Sequence, residues 1–217
     1  MKEQQSIFWD TIKIFDELDL LPHVIIIGSW AEYIYENYFN GFKSNLKTMD
    51  MDILYPNIRR PNKRINLKEV LEKNDYISNT DCTGITKFYK DGKIEIEFLV
   101  REIGRGQSEP YKIEPLGIKA EGLREMTFIE SNSIDIIAQC YKIRVPSPQA
   151  YVLHKLIIND KRKNKAQKDI RAVEGVLKFI KKSDIEKTKL KEIYESLSNK
   201  EKRKIDKVCD KEVITLF

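Results

Sequence analysis

Apolar residues at Ile7, Phe8, Ile12, Phe15, Leu18 and Leu21 recur at helical spacing. They predict an amphipathic opening helix over 5–21, ended by Pro22. The run His23-Val24-Ile25-Ile26-Ile27-Gly28 follows without alternation, and its β-branched residues predict a strand buried on both faces. Ser29 opens a second helical pattern over 30–39, with Ala31, Tyr33, Ile34 and Tyr38 suited to it. A polar loop around Asn40-Gly41 leads to a second strand at 49–55, and Asn66 with Glu69 has the spacing of a capping box for a short helix. The segment 87–100 alternates on either side of Asp91-Gly92 and predicts a hairpin. Further strand patterns lie at 134–138 and 140–145.

The texture changes at Val145-Pro146-Ser147-Pro148, where Ser147 can cap a helix that has Pro148 at its first position. Helical patterns then fill 148–160, 164–182, 184–197 and 199–209, with capping-box spacing at Ser183/Glu186 and Ser198/Glu201. The chain therefore divides into a mixed α/β (α+β) core domain over 1–145 and a Lys-rich helical domain over 146–217. Its 217 residues are 41% hydrophobic and 34% charged, enough apolar material for a real core.

Charge sharpens this division. The net +5 combines −3 over residues 1–154, +9 over 155–207 and −1 over the last ten residues, so the basic character belongs to the helical segment. A uniform basic coat for nucleic acid is excluded. The three cysteines, Cys82, Cys140 and Cys209, are far apart and form no CxxC, which argues against a disulfide scaffold or a structural zinc site. Two histidines cannot build a His-rich metal site. The N-terminus has early acids and no apolar h-region, and the longest apolar run is Val24 to Ile27. The expectation is a soluble, cytoplasmic protein with no membrane partner.

The chemistry concentrates in Gly28-Ser29, twenty intervening residues, and Asp50-Met51-Asp52. Alternation along a strand puts Asp50 and Asp52 on one face. Two adjacent carboxylates repel each other, and a hard divalent cation such as Mg²⁺ relieves that repulsion. A strand that ends in Gly-Ser at a helix start offers free backbone N–H groups to a phosphate. In 93–100, Ile94, Ile96 and Phe98 alternate inward, so Glu95 and Glu97 share the opposite face. If this strand neighbours 49–55, one or both complete a three-carboxylate site for two metal ions, suited to phosphoryl or nucleotidyl transfer. Lys155 and Arg162, seven apart, share a helical face, as do Lys165 and Asp169, and such a cationic helix could clamp an NTP. His154 is expected as a packed, hydrogen-bonded histidine. Arg101 and Arg105, near Gly104 and Gly106, suit either a phosphate-contacting loop or a polar turn.

Gly28-Ser29 … Asp50-Met51-Asp52 … Glu97 resembles the Gly-Ser … Asp-x-Asp … Asp/Glu signature of the DNA-polymerase-β-type nucleotidyltransferase superfamily. Thr48 before Asp50, Ile96-Glu97-Phe98-Leu99, Gly104-Arg105-Gly106 and Val145-Pro146-Ser147-Pro148 extend the likeness, as do His154-Lys155-Leu156, Arg162 and Lys168-Asp169. In order from about 22 to 180, these pieces are similar to a bacterial branch of abortive-infection and toxin-type nucleotidyltransferases. The gap between Gly-Ser and the first Asp is longer than in minimal members, and the third acid is Glu where many have Asp.

The resemblance implies a nucleotidyltransferase-fold mixed sheet with flanking helices, followed by a helical bundle. It implies an enzyme that moves NMP from an NTP to an acceptor hydroxyl and releases pyrophosphate, with Mg²⁺ or Mn²⁺ as cofactor. Asp50, Asp52 and Glu97 would be catalytic and hold the metal, Glu97 being favoured over Glu95 because an apolar pair follows it. Gly28 and Ser29 would bind phosphates, Lys155 the triphosphate, and Lys168 and Asp169 would line the nucleotide site. The +9 segment favours an anionic acceptor such as tRNA or another RNA, and a protein acceptor is also open. Alternatives are a same-fold enzyme acting on an aminoglycoside-like small molecule, and a catalytically silent nucleotide-binding module that is antitoxin-like or regulatory. A toxin–antitoxin partner is compatible with the toxin-type resemblance. A purely nucleic-acid-binding helical protein leaves the three acids unexplained.

Overall fold

A computed structural model describes residues 2–45, 48–56, 64–102, 109–162 and 164–217. The opening apolar stripe forms helix α1 (Lys2–Glu17), with Ile7, Phe8, Ile12 and Phe15 buried. It stops short of the expected 21 because Asp19 turns left-handed at φ 55° and Leu20 N–H bonds back to the Phe15 carbonyl. A 3₁₀ turn at Leu21–His23 leads into strand β1 (Ile25–Ile26) and helix α2 (Gly28–Ile34). The apolar run is buried as expected, but its regular strand is only two residues long.

The chain continues through β2 (Asp50–Leu54), α3 (Leu67–Lys73), β3 (Ile77–Thr80), β4 (Thr86–Lys90) and β5 (Ile94–Arg101). Asn66 caps α3 by accepting from Glu69 N–H. Asp91 and Gly92 both take positive φ, 53° and 63°, which reverses the chain between β4 and β5. After these come β6 (Tyr111–Ile113), β7 (Ile118–Leu123) and a short helix α4 (Met126–Ser131). The two remaining strand patterns join as a hairpin, β8 (Ser133–Ala138) and β9 (Tyr141–Pro146). Four helices finish the chain: α5 (Pro148–Ile158), α6 (Ala166–Ile180), α7 (Asp184–Ser196) and α8 (Asn199–Glu212). Ser147, Ser183 and Ser198 cap α5, α7 and α8, and Ser198 with Glu201 forms a complete capping box.

The mixed sheet runs β1-β2-β5-β4-β3. β2 and β5 are parallel, whereas β4 pairs antiparallel with the first half of β5. The second half of β5 pairs parallel with β7, which also carries β6. One face packs on the main core through Ile26, Met51, Ile53, Ile96 and Phe98. This core is continuous from α1 through the C-terminal helices, with Val152, Val173, Leu190 and Ile205 in it. On the other face, a small second core of Ile25, Ile27, Leu54 and Leu99 is covered by Met126 and Ile129 of α4. Only part of that face is roofed, and the acids lie on the remainder. Among the described residues no helix is long and apolar enough to cross a membrane.

Candidate functional site

Strand register assembles the acids. Met51 and Ile53 point into the core with no exposure, so Asp50 and Asp52 project from the opposite face of β2. Parallel pairing sets Asp50 beside Glu95 and Asp52 beside Glu97. Antiparallel pairing sets Lys87 of β4 opposite Glu97 on its other side. Glu97 lines a cleft of about 480 Å³ together with Asp50 and Asp52. The Glu95 carboxylate, which is not part of that lining, accepts from Lys87 Nζ at 2.8 Å, and the same ammonium lies 3.1 Å from Glu97.

Gly28 and Ser29 line the same cleft at the start of α2. Gly28 sits at φ 68°, and a Cβ there would lie 2.7 Å from Asp52 Oδ2. Both the backbone conformation and the approach of the carboxylate demand glycine at this position. Lys155, Lys168 and Asp169 also reach the cleft, so the eight residues to which the resemblance gives catalytic or binding roles meet at one cavity, whereas Glu95 and Arg101 do not line it.

The helical wall is α5, which presents Tyr151, His154, Lys155 and Ile158 to the cleft at i, i+3, i+4 and i+7. Lys155 is buried and donates to Asp169 Oδ1 at 2.5 Å. Arg162 Nε lies 2.9 Å from Asp169 Oδ2, outside hydrogen-bond alignment, so it neutralises charge there without directing a donor at that oxygen. Lys155 and Arg162 do not share one helix, because α5 ends at Ile158, yet they converge on the same carboxylate. Lys165 does not pair with Asp169; its Nζ donates to Asp50 Oδ2 at 3.1 Å across the cleft. Tyr151 hydroxyl donates to Glu32 Oε2 at 3.0 Å, which ties α5 to α2.

The electrostatics reflect crowded acids. Burial raises the Asp52 carboxyl, and the charge of Asp50 pushes it further the same way, against Lys165, Arg162 and Lys155. Burial also raises Glu97, opposed by Lys87 and reinforced by Asp52 and Glu121. Burial, together with Lys155 and Lys165, lowers the Lys168 ammonium. Such a set of carboxylate oxygens fits a hard divalent ion in donor chemistry. Among the described residues, no three His, Cys, Asp or Glu side chains are already gathered as a metal site. The carboxylates instead have lysine partners, Lys165 on Asp50 and Lys87 on Glu97.

His154 departs from expectation. Its Nε2 is shielded from solvent and has no hydrogen-bond partner. Burial and the charges of Lys155 and Arg162 push the imidazole down to about 3, so it is neutral in the folded protein. An unfolded chain protonates near the ordinary 6.5. The associated stability is therefore fully present above that pH and is lost as pH falls toward 3. In chemical denaturation between pH 6 and pH 4, wild type should lose up to about 1.4 kcal/mol per pH unit more than His154→Leu. Parallel slopes would contradict a neutral imidazole with a shielded Nε2 in the folded protein.

Arg101 lies at the end of β5 with Glu130 at 3.6 Å, while Gly104, Arg105 and Gly106 lie outside the described residues. The sequence reading missed Lys87, Glu32 and the apolar wall formed by Leu99, Leu123 and Met126. Lys87 had no reliable signal, since counting back from a two-residue Asp91-Gly92 turn would place it opposite Ile96; the turn includes Lys93, which sets Lys90 opposite Ile94 and Lys87 opposite Glu97. The α4 wall had none, because that helix follows Glu125 at φ 63° and lacks a side-chain cap.

Residues 9–198 match a protein-family model described as Nucleotidyltransferase. No curated protein matches the chain. Its fold is shared by an antigenic nucleotidyltransferase-like protein from Paracoccidioides brasiliensis, at TM-score 0.55 and 12% identity over 98% of this chain and 90% of that one. It is also shared by ANT(2'')-Ia in complex with adenylyl-2''-tobramycin, at TM-score 0.51 and 13% identity over 89% of this chain and 99% of that one. A solution structure of the antibiotic-resistance factor ANT(2'')-Ia gives TM-score 0.50 and 14% identity over 98% and 95% of the two chains. At these identities the structural likeness is one of fold.

Proposed function

The chain belongs to the nucleotidyltransferase family, and from that premise we propose that it transfers NMP from an NTP to an acceptor hydroxyl, releasing pyrophosphate, with Mg²⁺ or Mn²⁺ held by Asp50, Asp52 and Glu97. The observation behind this reading is the register of β2 against β5, which sets Asp52 beside Glu97 on the wall of the cleft that Gly28 and Ser29 also line. Backbone N–H groups at the start of α2 and the Ser29 hydroxyl bind phosphate oxygens. Lys155, Arg162, Lys165 and Lys168, on the opposite wall, neutralise the triphosphate. Lys165 serves both partners, because its exposed ammonium already reaches Asp50 across the cleft. A bound divalent ion supplies charge stabilisation at the reacting phosphoryl group and lowers the pKa of the acceptor hydroxyl. Residues 1–145 carry the carboxylates in this scheme, and 146–217 supply the cationic wall.

Two acceptor classes follow from the charge around the cleft. Among the described residues, five cations of the basic segment line it, Lys155, Lys161, Arg162, Lys165 and Lys168, and these favour an anionic acceptor such as tRNA or another RNA, or an acidic protein surface. A small, amine-bearing polyhydroxyl acceptor is favoured by Glu102, Glu121 and Glu125, which line the cleft beyond Glu97 beside Leu99 and Leu123. ANT(2'')-Ia, crystallised with adenylyl-2''-tobramycin, has the same fold. Incubation with Mg²⁺, each α-labelled NTP, and RNA, protein or an aminoglycoside in turn separates these readings. Label in RNA, with binding that weakens steeply as salt rises, is the expected result. Label in the aminoglycoside alone selects the second class. Tight NTP binding without pyrophosphate release over hours would replace both with a silent nucleotide-binding module.

A further inference from the structure

Glu97 is shared between the cleft and a lysine on the next strand. Lys87 Nζ lies 2.8 Å from Glu95 Oε1 and 3.1 Å from Glu97 Oε2, so one ammonium bridges two carboxylates a pleat apart on β5. The bridge is fixed by register, with Lys87 directly opposite Glu97 and Tyr89 opposite Glu95. Its side chains are only about a fifth to a third exposed, so water screens them incompletely. Glu97 also has Asp52 beside it in the parallel register, and Glu121 one row further along on β7.

We propose that Lys87 is a positioning residue for Glu97, a resident counter-cation whose hold on that carboxylate is set by Glu95. This inference rests on the metal-binding reading of Asp50, Asp52 and Glu97. Lys87 has two effects that act in opposite directions. It orients the Glu97 carboxylate beside Asp52 and prevents the two acids from turning apart. It also competes, as a positive charge, with any divalent ion that Glu97 helps to hold. Glu95 moderates this competition by taking part of the Lys87 charge onto itself. Neither Lys87 nor Glu95 needs to touch a substrate for this.

The opposed roles give the two side chains opposite signatures. Lys87→Met keeps most of the stem and removes the charge, so divalent binding to the nucleotide-free protein should tighten roughly five- to thirtyfold at low salt. Its kcat should nevertheless fall, because Glu97 loses its orientation. Glu95→Gln leaves Lys87 to Glu97 alone, so binding should weaken about two- to fivefold. Lys87→Arg keeps the charge and should bind within about twofold of wild type.

The test is Mn²⁺ binding to the full chain, followed by electron paramagnetic resonance of free Mn²⁺, with circular dichroism to confirm folding. Opposite shifts for Lys87→Met and Glu95→Gln support the inference. Unchanged binding in both, or shifts of the same sign, overturns it. Should Lys87→Met fail to fold, Glu95→Gln alone decides, and unchanged or tighter binding refutes the proposal. Asp50→Ala with Asp52→Ala serves as the control for the underlying reading. If that pair still binds Mn²⁺, the metal site itself is misassigned. If it loses binding while the Lys87 and Glu95 variants behave as wild type, only the positioning role fails.

Discussion

Replacing Asp50 and Asp52 together by alanine will lower nucleotidyl transfer by on the order of a thousandfold or more, because it removes two carboxylates that would hold the divalent ion whose positive charge would stabilise the reacting phosphoryl group. The fold will persist. Asp50 is among the more exposed acids of the cleft, with its side chain 43% accessible, and among the described residues it pairs with Lys165, which is itself 56% exposed. Asp52 is held against burial and the repulsion of its neighbour, so alanine there relieves a cost. Neither residue belongs to the core beneath β2, which Met51 and Ile53 form from the other face. The melting temperature of the double variant should therefore match or exceed that of wild type, and its circular dichroism spectrum should be unchanged. A loss of activity accompanied by unfolding would assign these acids a structural role and remove the catalytic inference.

The largest effect on stability should come from Asp169→Ala. The Asp169 side chain is 3% exposed, and it neutralises Lys155, itself buried, as well as Arg162. Its removal strands the Lys155 ammonium beside the Tyr151 ring, with Glu32 and Asp52 as remaining acids that feel its charge, Glu32 already being engaged by Tyr151 and Asn45. Breaking one partner out of a buried ion pair costs roughly 3–5 kcal/mol, since the other charge stays buried and uncompensated. Urea unfolding should show a loss of that size for Asp169→Ala. Lys155→Met in the same background should restore part of it by removing the orphaned charge. A loss below about 1 kcal/mol would mean that the cleft hydrates Lys155, and that the ion pair contributes little.

Three of the four helices after Ser147 were legible because their starts are written in side chains, while α6 has no side-chain cap. Ser147, Ser183 and Ser198 each accept from the backbone N–H three residues on, and Pro148 occupies the first turn of α5. The acids were legible for a different reason, since strand alternation alone puts Asp50 with Asp52 and Glu95 with Glu97. Alternation alone did not choose between the glutamates; Glu97 was favoured by the resemblance, and in the fold Glu97 lines the cleft with Asp50 and Asp52, while Lys87 on β4 pairs with both glutamates. β6, β7 and α4 were not read, because their signals are short and their stability comes from β5 and the second core. The β8–β9 turn was hidden similarly, since Gln139 and Cys140 take the positive φ values that glycine or asparagine would have announced.

Charge shows the same limit. The +9 of residues 155–207 was plain, but not its destination. Lys155, Lys161, Arg162, Lys165 and Lys168 line the cleft, whereas Lys187, Lys189, Lys202 and Lys211 pair with acids on their own helices or the next. Most of the cleft cations are matched to cleft acids, as Lys161 is to Glu125 and Lys165 to Asp50. Helix-face counting missed this because Lys165 stands at the flank of α6, where its side chain crosses the cleft while Asp169 turns inward to Lys155.

The most direct test of the central claim compares NTP labelled at the α-phosphorus with NTP labelled at the γ-phosphorus, using wild type and the Asp50→Ala/Asp52→Ala variant with Mg²⁺ and the acceptor pool. Nucleotidyl transfer predicts that wild type passes α-label to the acceptor and releases γ-label as pyrophosphate, and that the variant does neither. Passage of γ-label to the acceptor, or undiminished α-label transfer by the variant, would contradict the account.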